Sequence, residues 1–143
     1  MVYRQRILVV ALGALLLASL AVHGDDVDDL KASFKQTITA YNARDLDALV
    51  AGQHNHLMYF GPLSSSSLEG KDAARQAFQT LFANYESVTF TLFDPQFRVS
   101  GTTGVAWGFA DVRLKPKNGP MATSFFHYTW TYTKVDGKWL RVP

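Results

Sequence analysis

The sequence predicts an α+β domain: three N-terminal helices packed on a strongly curved mixed or antiparallel sheet that forms a cone-shaped barrel. Three observations carry this. Apolar residues recur at spacings of three and four up to about residue 85, the period changes to two from Ser87 onward, and turn signals divide the second half into long strands. A length of 143 residues gives one domain with a substantial core.

The elements follow in order. Val27, Leu30, Phe34, Ile38 and Tyr41 mark one face of a helix over about 26–43, with Asp28 and Asp29 placed in its first turn to favour the positive end of the helix dipole. Asp45 is an N-cap for a short helix carrying Leu46, Leu49 and Val50. Leu57 to Phe60 reads as a brief strand ended by Gly61-Pro62 and the run Ser64–Ser67, a loop over the mouth of the cone. Ala74, Phe78, Leu81, Phe82 and Tyr85 mark a third helix over about 71–84. Val88, Phe90 and Leu92 then alternate with Thr89, Thr91 and Phe93 until Asp94-Pro95 bulges or breaks the strand. Strands are expected over Val105–Leu114, Met121–Lys134 and Lys138–Val142, the last two joined by an Asp136-Gly137 hairpin.

The N-terminus carries Arg4 and Arg6 ahead of a fourteen-residue apolar run, Ile7 to Leu20, which is shorter than the ~18 residues a spanning helix needs. Residues 1–24 therefore read as a signal peptide, with an uncleaved anchor as the alternative, and residues 25–143 as an exported domain, periplasmic or secreted. No stable membrane anchor is expected after cleavage. Without Arg4 and Arg6 the charges balance, twelve basic against twelve acidic. The net charge of +2 thus serves export, and no nucleic-acid partner is implied. The absence of Cys excludes a disulfide scaffold and a thiolate nucleophile. Three Trp, six Tyr and ten Phe make the excess aromatic.

Four stretches carry a family resemblance: Ala40–Leu49, Tyr59-Phe-Gly-Pro62, Leu68–Phe78 and Tyr132–Trp139. In this order and spacing the chain resembles the SnoaL-like domains of the nuclear-transport-factor-2-like superfamily, a ketosteroid-isomerase-like (cystatin-like) architecture. That resemblance implies a cone-shaped pocket, and it leaves activity open because the fold hosts isomerases, hydrolases, dehydratases and binding modules. The carboxylates of related isomerases would fall near Gly61 and Phe126, where this chain has no acid. The histidine that the family often carries after the final Trp is missing from Arg141-Val142-Pro143.

The strand Met121–Lys134 puts Phe126, Tyr128, Trp130 and Tyr132 on one face and Phe125, His127, Thr129 and Thr131 on the other. If the even face looks inward, it forms an aromatic pocket with Tyr41 and Tyr59, suited to a small apolar or aromatic ligand. Trp107 and Asp111 share a face with Val105 and Phe109. If that face is also inward, Trp107 lines the pocket and Asp111 is the candidate general base. A surface Asp111 paired with Arg113 is the alternative. His54 and His56 lack a third ligand, so no metal and no cofactor are expected. Three functions stay open: ligand binding in the cone, isomerase-, hydrolase- or lyase-type catalysis with Asp111 as base, and homodimeric association through the outer sheet face carrying Phe125 and His127.

Overall fold

A computed structural model describes residues 22–59 and 68–142, with only the backbone for residues 22–24, Tyr59 and Leu68. The expected leader up to residue 21, the Gly61-Pro62 break, the serine run and Pro143 lie outside the described residues.

The helices are α1 (Val22–Ala43), α2 (Leu46–Ala51) and α3 (Gly70–Asn84). The strands are β1 (Met58–Tyr59), β2 (Leu68–Glu69), β3 (Tyr85–Ser100), β4 (Thr103–Pro116), β5 (Ala122–Val135) and β6 (Lys138–Val142). Three long strands and the short β6 form one curved antiparallel sheet in the order β3-β4-β5-β6, and β1 and β2 pair separately. Among the described residues the sheet is open, with β3 and β6 at its edges, and with the helices on its concave face it makes the α+β cone that the sequence predicts. Within the described residues, a parallel bridge joins Gln53 to Arg141 of β6.

Helix α1 starts earlier than its apolar pattern, so Asp25, and not Asp28 or Asp29, lies in the first turn. Leu30, Phe34, Ile38 and Tyr41 are buried along one stripe, each stabilising the fold by about 2 kcal/mol through removal of apolar surface from water. The Asp45 carboxylate accepts the Ala48 amide at 2.9 Å and starts α2 as its sequence position implied. Asp136 and Gly137 both adopt positive φ, 49° and 77°, the conformation of a two-residue turn whose twist matches its strands.

Two polar side chains fasten the helices to the sheet edge. Asn42 accepts the Phe90 amide at 2.8 Å and donates to the Phe90 carbonyl at 3.2 Å, pairing with β3 as a neighbouring strand would. Arg44, in the left-handed region at φ 58°, donates to the carbonyls of Phe82, Tyr85 and Glu86 where α3 runs directly into β3. Its guanidinium also stacks over Phe82 at 5.3 Å. Charged donors on carbonyls that the helix end leaves unpaired make this a clamp between the first and second halves of the chain. Replacing it, Arg44→Ala, is expected to lower unfolding free energy by about 2 kcal/mol, read as a lower urea midpoint with an unchanged m-value.

Candidate functional site

The inner face of the sheet is set by strand parity. On β5 the even residues Phe126, Tyr128, Trp130 and Tyr132 turn inward, while Phe125 is 63% exposed. On β4 the inward positions are Gly104, Ala106, Gly108 and Ala110. These small residues form a floor on which larger rings lie. Phe34 of α1 packs into it, with ring centroids 5.2 Å from Phe97, 5.7 Å from Tyr128 and 5.2 Å from Trp130. A side chain at Gly108 would begin 2.9 Å from the Tyr128 hydroxyl, and one at Gly104 would begin 2.8 Å from Leu30. The floor must therefore stay bare at Gly104 for the helix to seat and at Gly108 for Tyr128 to lie across it.

This corrects the orientation expected for β4. Trp107 and Phe109 are large and apolar, yet they face outward, because the concave side of the central strands has no room for them. Asp111 turns outward with them, between Thr91 and Phe125, and accepts from Arg113 at 3.3 Å. Trp107 and Asp111 are thus separated by the sheet from Tyr128 and Trp130, and no common cavity contains them. The surface pairing of Asp111 with Arg113 is what the structure shows.

The inward aromatic residues are drawn together. Tyr41 packs against Phe78 at 5.4 Å and Phe90 at 4.8 Å, and Trp130 and Phe90 touch both clusters of the core. Tyr59 stands at the end of β1; its side chain lies outside the described residues. Room for a ligand lies beside the described rings, in an open cleft of about 460 Å³ between α1, α2 and the β5–β6 hairpin. Ser33, Gln36, Thr37, Gly52, Lys138 and Trp139 are among its walls.

Behind Thr37, Gly52 and Trp139 sits a group of buried polar side chains that the aromatic reading missed. Tyr132 and Gln53 are almost completely buried, and Arg141 is only 9% exposed. Arg141 is cross-strand neighbour to Tyr132, and its guanidinium lies 4.2 Å above the Trp130 ring. Its backbone is tied on the other side, donating to the Gly52 carbonyl at 3.0 Å and accepting from the His54 amide at 2.9 Å. This fixes Gln53 beside Arg141, with the Gln53 amide nitrogen donating to the Leu49 carbonyl at 2.9 Å. Among the described residues, Gln53 Oε1 and Trp139 Nε1 have no hydrogen-bond partner, neither does Tyr128 Oη further along the strand, and Tyr132 Oη makes no close bond. Thr37 lies next to Tyr132; its hydroxyl proton goes to the Ser33 carbonyl at 3.1 Å, which leaves its oxygen as an acceptor beside the Tyr132 phenol. Buried polar atoms of this kind are commonly paired by water or by a ligand.

Burial raises the Tyr132 phenol well above its ordinary value, while the Arg141 charge pulls in the opposite direction. Burial also raises Tyr128, with a smaller contribution from the Asp94 carboxylate. Arg141 was legible in one respect: two residues after Trp139, it had to share that ring's face. His54 and His56 have ring centroids 5.6 Å apart, and among the described residues no group of three or more metal-ligating side chains occurs.

Helices seated on the inner face of a curved antiparallel sheet, with buried polar groups behind a lateral cleft, define the nuclear-transport-factor-2-like class of α+β domains. Within that class the chain belongs to the SnoaL-like domain family, whose model matches residues 30–142. No curated protein matches it. Among solved structures it is similar to a candidate dehydratase of the NTF2-like family from Streptomyces avermitilis, with TM-score 0.73 and 16% identity over 82% of this chain and 91% of that one. It is similar to a ketosteroid isomerase-like protein from Erwinia carotovora atroseptica, with TM-score 0.71 and 16% identity over 82% and 91%. A candidate calcium/calmodulin dependent protein kinase II association domain from Xanthomonas campestris gives TM-score 0.70 and 18% identity over 79% and 80%. At such identities the likeness is one of fold.

The raised phenols have a consequence at high pH. An unfolded chain releases its tyrosine protons near pH 10, before the folded one does, so this contribution to stability is complete below that pH and declines above it. Lys134, raised chiefly by its hydrogen bond to Asp26, acts in the same sense, its contribution being lost as the pH rises through its folded value. The variant Tyr132→Phe is expected to flatten the fall in melting temperature between about pH 10 and 11.5, with less tyrosinate absorbance appearing on unfolding.

Proposed function

We propose that this SnoaL-like domain binds a small, flat, largely apolar molecule that enters through the cleft between α1, α2 and the β5–β6 hairpin. The observation that carries this is a cleft of about 460 Å³ walled in part by Trp139, whose buried indole N–H has no partner among the described residues, with the unpartnered Gln53 Oε1 belonging to the residue next to Gly52 of the same wall. Leaving such atoms unpaired costs about 1–3 kcal/mol each, a cost a bound molecule offsets. The cleft is within the size range of small-molecule sites, and the Trp139 and Leu140 side of it offers apolar surface. Export to the periplasm or outside the cell belongs to the same proposal, and rests on the basic n-region and short apolar run at the N-terminus.

Binding is favoured over catalysis with Asp111 as base because that carboxylate lies across the sheet from the cleft. Among the described residues no Asp or Glu is buried on the inner face. A ring compound such as indole or 2-naphthalenemethanol is expected to quench the protein's tryptophan fluorescence saturably. At tenfold its Kd it should raise the melting temperature by about 5 °C. Absence of any saturable response across neutral and acidic ring compounds would overturn the reading.

A second reading is supported by the opposite face of the sheet. Phe93, Trp107, Phe109 and Phe125 are all exposed there, where the sequence suggested a lone Phe among threonines. Their rings already stack, Phe109 on Phe125 at 5.7 Å and 13°, with His127 edge-on to Phe109 at 4.6 Å. An exposed aromatic cluster of this kind marks an interface. The same face carries Arg98 and Arg113 together with Asp111, whose Oδ1 is buried without a partner. A surface bearing both charges around an apolar centre is self-complementary, as a two-fold dimer requires. The likeness to an association domain agrees with this. We therefore assign the outer face to a homodimer. Light scattering should give twice the chain mass, and Phe109→Glu should return it to a monomer with little loss of thermal stability; a monomeric parent would refute the assignment.

A further inference from the structure

We infer that the two-fold axis of the homodimer crosses the strands between Phe109 and Trp107, and that two reciprocal ion pairs close the interface, each joining Asp111 to Arg98 of the partner subunit. This rests on the homodimer reading above and specifies it. Two charged groups of the outer face lack full pairing within the chain. The Asp111 side chain is only 15% exposed and accepts from Arg113 through Oδ2; its Oδ1 is buried and has no partner among the described residues. A carboxylate oxygen held out of water is unfavourable until a donor meets it. Arg98 is exposed on the same face, opposite Val105, and among the described residues it makes no hydrogen bond or ion pair. The two cannot meet within one chain, since the six steps from Val105 to Asp111 along β4 span about 20 Å.

Strand register fixes what a two-fold axis brings together. Phe109 lies level with Phe93 and His127, and Trp107 with Gln96 and Thr129; Asp111 is one level beyond Phe109, and Arg98 one level beyond Trp107. An axis between Phe109 and Trp107 packs each of these rings on the other in the partner. One level out, Phe125 lies over the partner's Thr131 and Arg98 over the partner's Thr91, so large side chains meet small ones. Thr91 is the β3 neighbour of Asp111, and its small side chain leaves the space beside the carboxylate open. The arriving guanidinium is then one strand spacing, about 4.8 Å, to the side of Asp111, where it can donate to Oδ1. Other axes lose this match. A shift by one level sets Asp111 against the partner's Trp107 in one direction, and Arg98 against the partner's Phe93 in the other. An axis running along β4 sets the two Asp111 carboxylates against each other.

The test is a pair of charge reversals in the full chain, with dimer dissociation followed by analytical ultracentrifugation at neutral pH and low salt. Arg98→Asp and Asp111→Arg should each weaken the dimer about 100-fold or more, because each sets like charges together at two places. Mixed in equal amounts, the two variants should form a dimer holding one chain of each, which native mass spectrometry reads directly. In that mixed dimer one ion pair is native and the other reversed. Arg98→Asp, at an exposed position, decides the matter if Asp111→Arg does not fold. Added salt should then weaken the parent dimer and strengthen that of Arg98→Asp. Dimerisation of Arg98→Asp at the parent's affinity, an unchanged response to salt, or a mixture of two folded variants that stays monomeric would overturn the pairing and leave the homodimer reading intact. A monomeric parent would overturn both.

Discussion

Everything in this fold depends on how closely α1 approaches the middle of the sheet. Phe34 rests where β4 presents only Gly104, Ala106, Gly108 and Ala110, so the helix can sit low and touch rings from both flanking strands. The contact is steric before it is energetic. A methyl group at Gly104 would begin 2.8 Å from Leu30 of α1 and 3.2 Å from the Trp139 ring, and one at Gly108 would begin 2.9 Å from the Tyr128 hydroxyl. With the centre so tightly filled, the larger side chains of β4 are left no position but the outer face.

The same close approach explains why the buried polar groups occur where they do. Packing is dense along the line of Phe34, and it loosens toward the β6 edge, where α1, α2 and the last hairpin diverge. There the chain buries Tyr132, Gln53 and Arg141 beside Trp130 and Trp139. A short edge strand would fray if held by one neighbour. β6 is held instead by β5 on one side and by the backbone around Gly52–His54 on the other. Gln53 and Arg141 thus owe their placement to main-chain bonds, which lets their side chains be chosen for something other than holding the strand.

Much of this architecture was legible before any coordinates. The period of α1, the cap at Asp45, the bulge at Asp94-Pro95 and the turn at Asp136-Gly137 are local signals, and each is present where the sequence places it. The inward face of β5 was legible because its even residues were uniformly aromatic. β4 was misread for a physical reason: hydrophobicity favoured Val105, Trp107 and Phe109 as the inner set, whereas curvature favoured the small residues between them. No local pattern reports curvature. Arg141 escaped notice for the opposite reason, since a charged residue near a chain end reads as solvated until a partner element covers it.

The bulge in β3 shows how the two faces are kept distinct. Phe93 faces outward opposite Phe109, and Gln96 faces outward opposite Trp107, so three steps on β3 match two on β4. Without the extra residue, Phe97 would follow the parity of Phe93 and leave the core. With it, Phe97 turns inward and meets Phe34 edge-on at 5.2 Å and 83°, while Phe93 stays with the exposed cluster, 6.0 Å from Phe125. Asp94 bears the conformational cost at φ 46°, a region an acidic side chain tolerates better than a branched one. One irregular residue therefore assigns two phenylalanines four positions apart to opposite sides of the sheet. The inner ring helps wall the helix seat, and the outer one extends the exposed apolar surface of the opposite face.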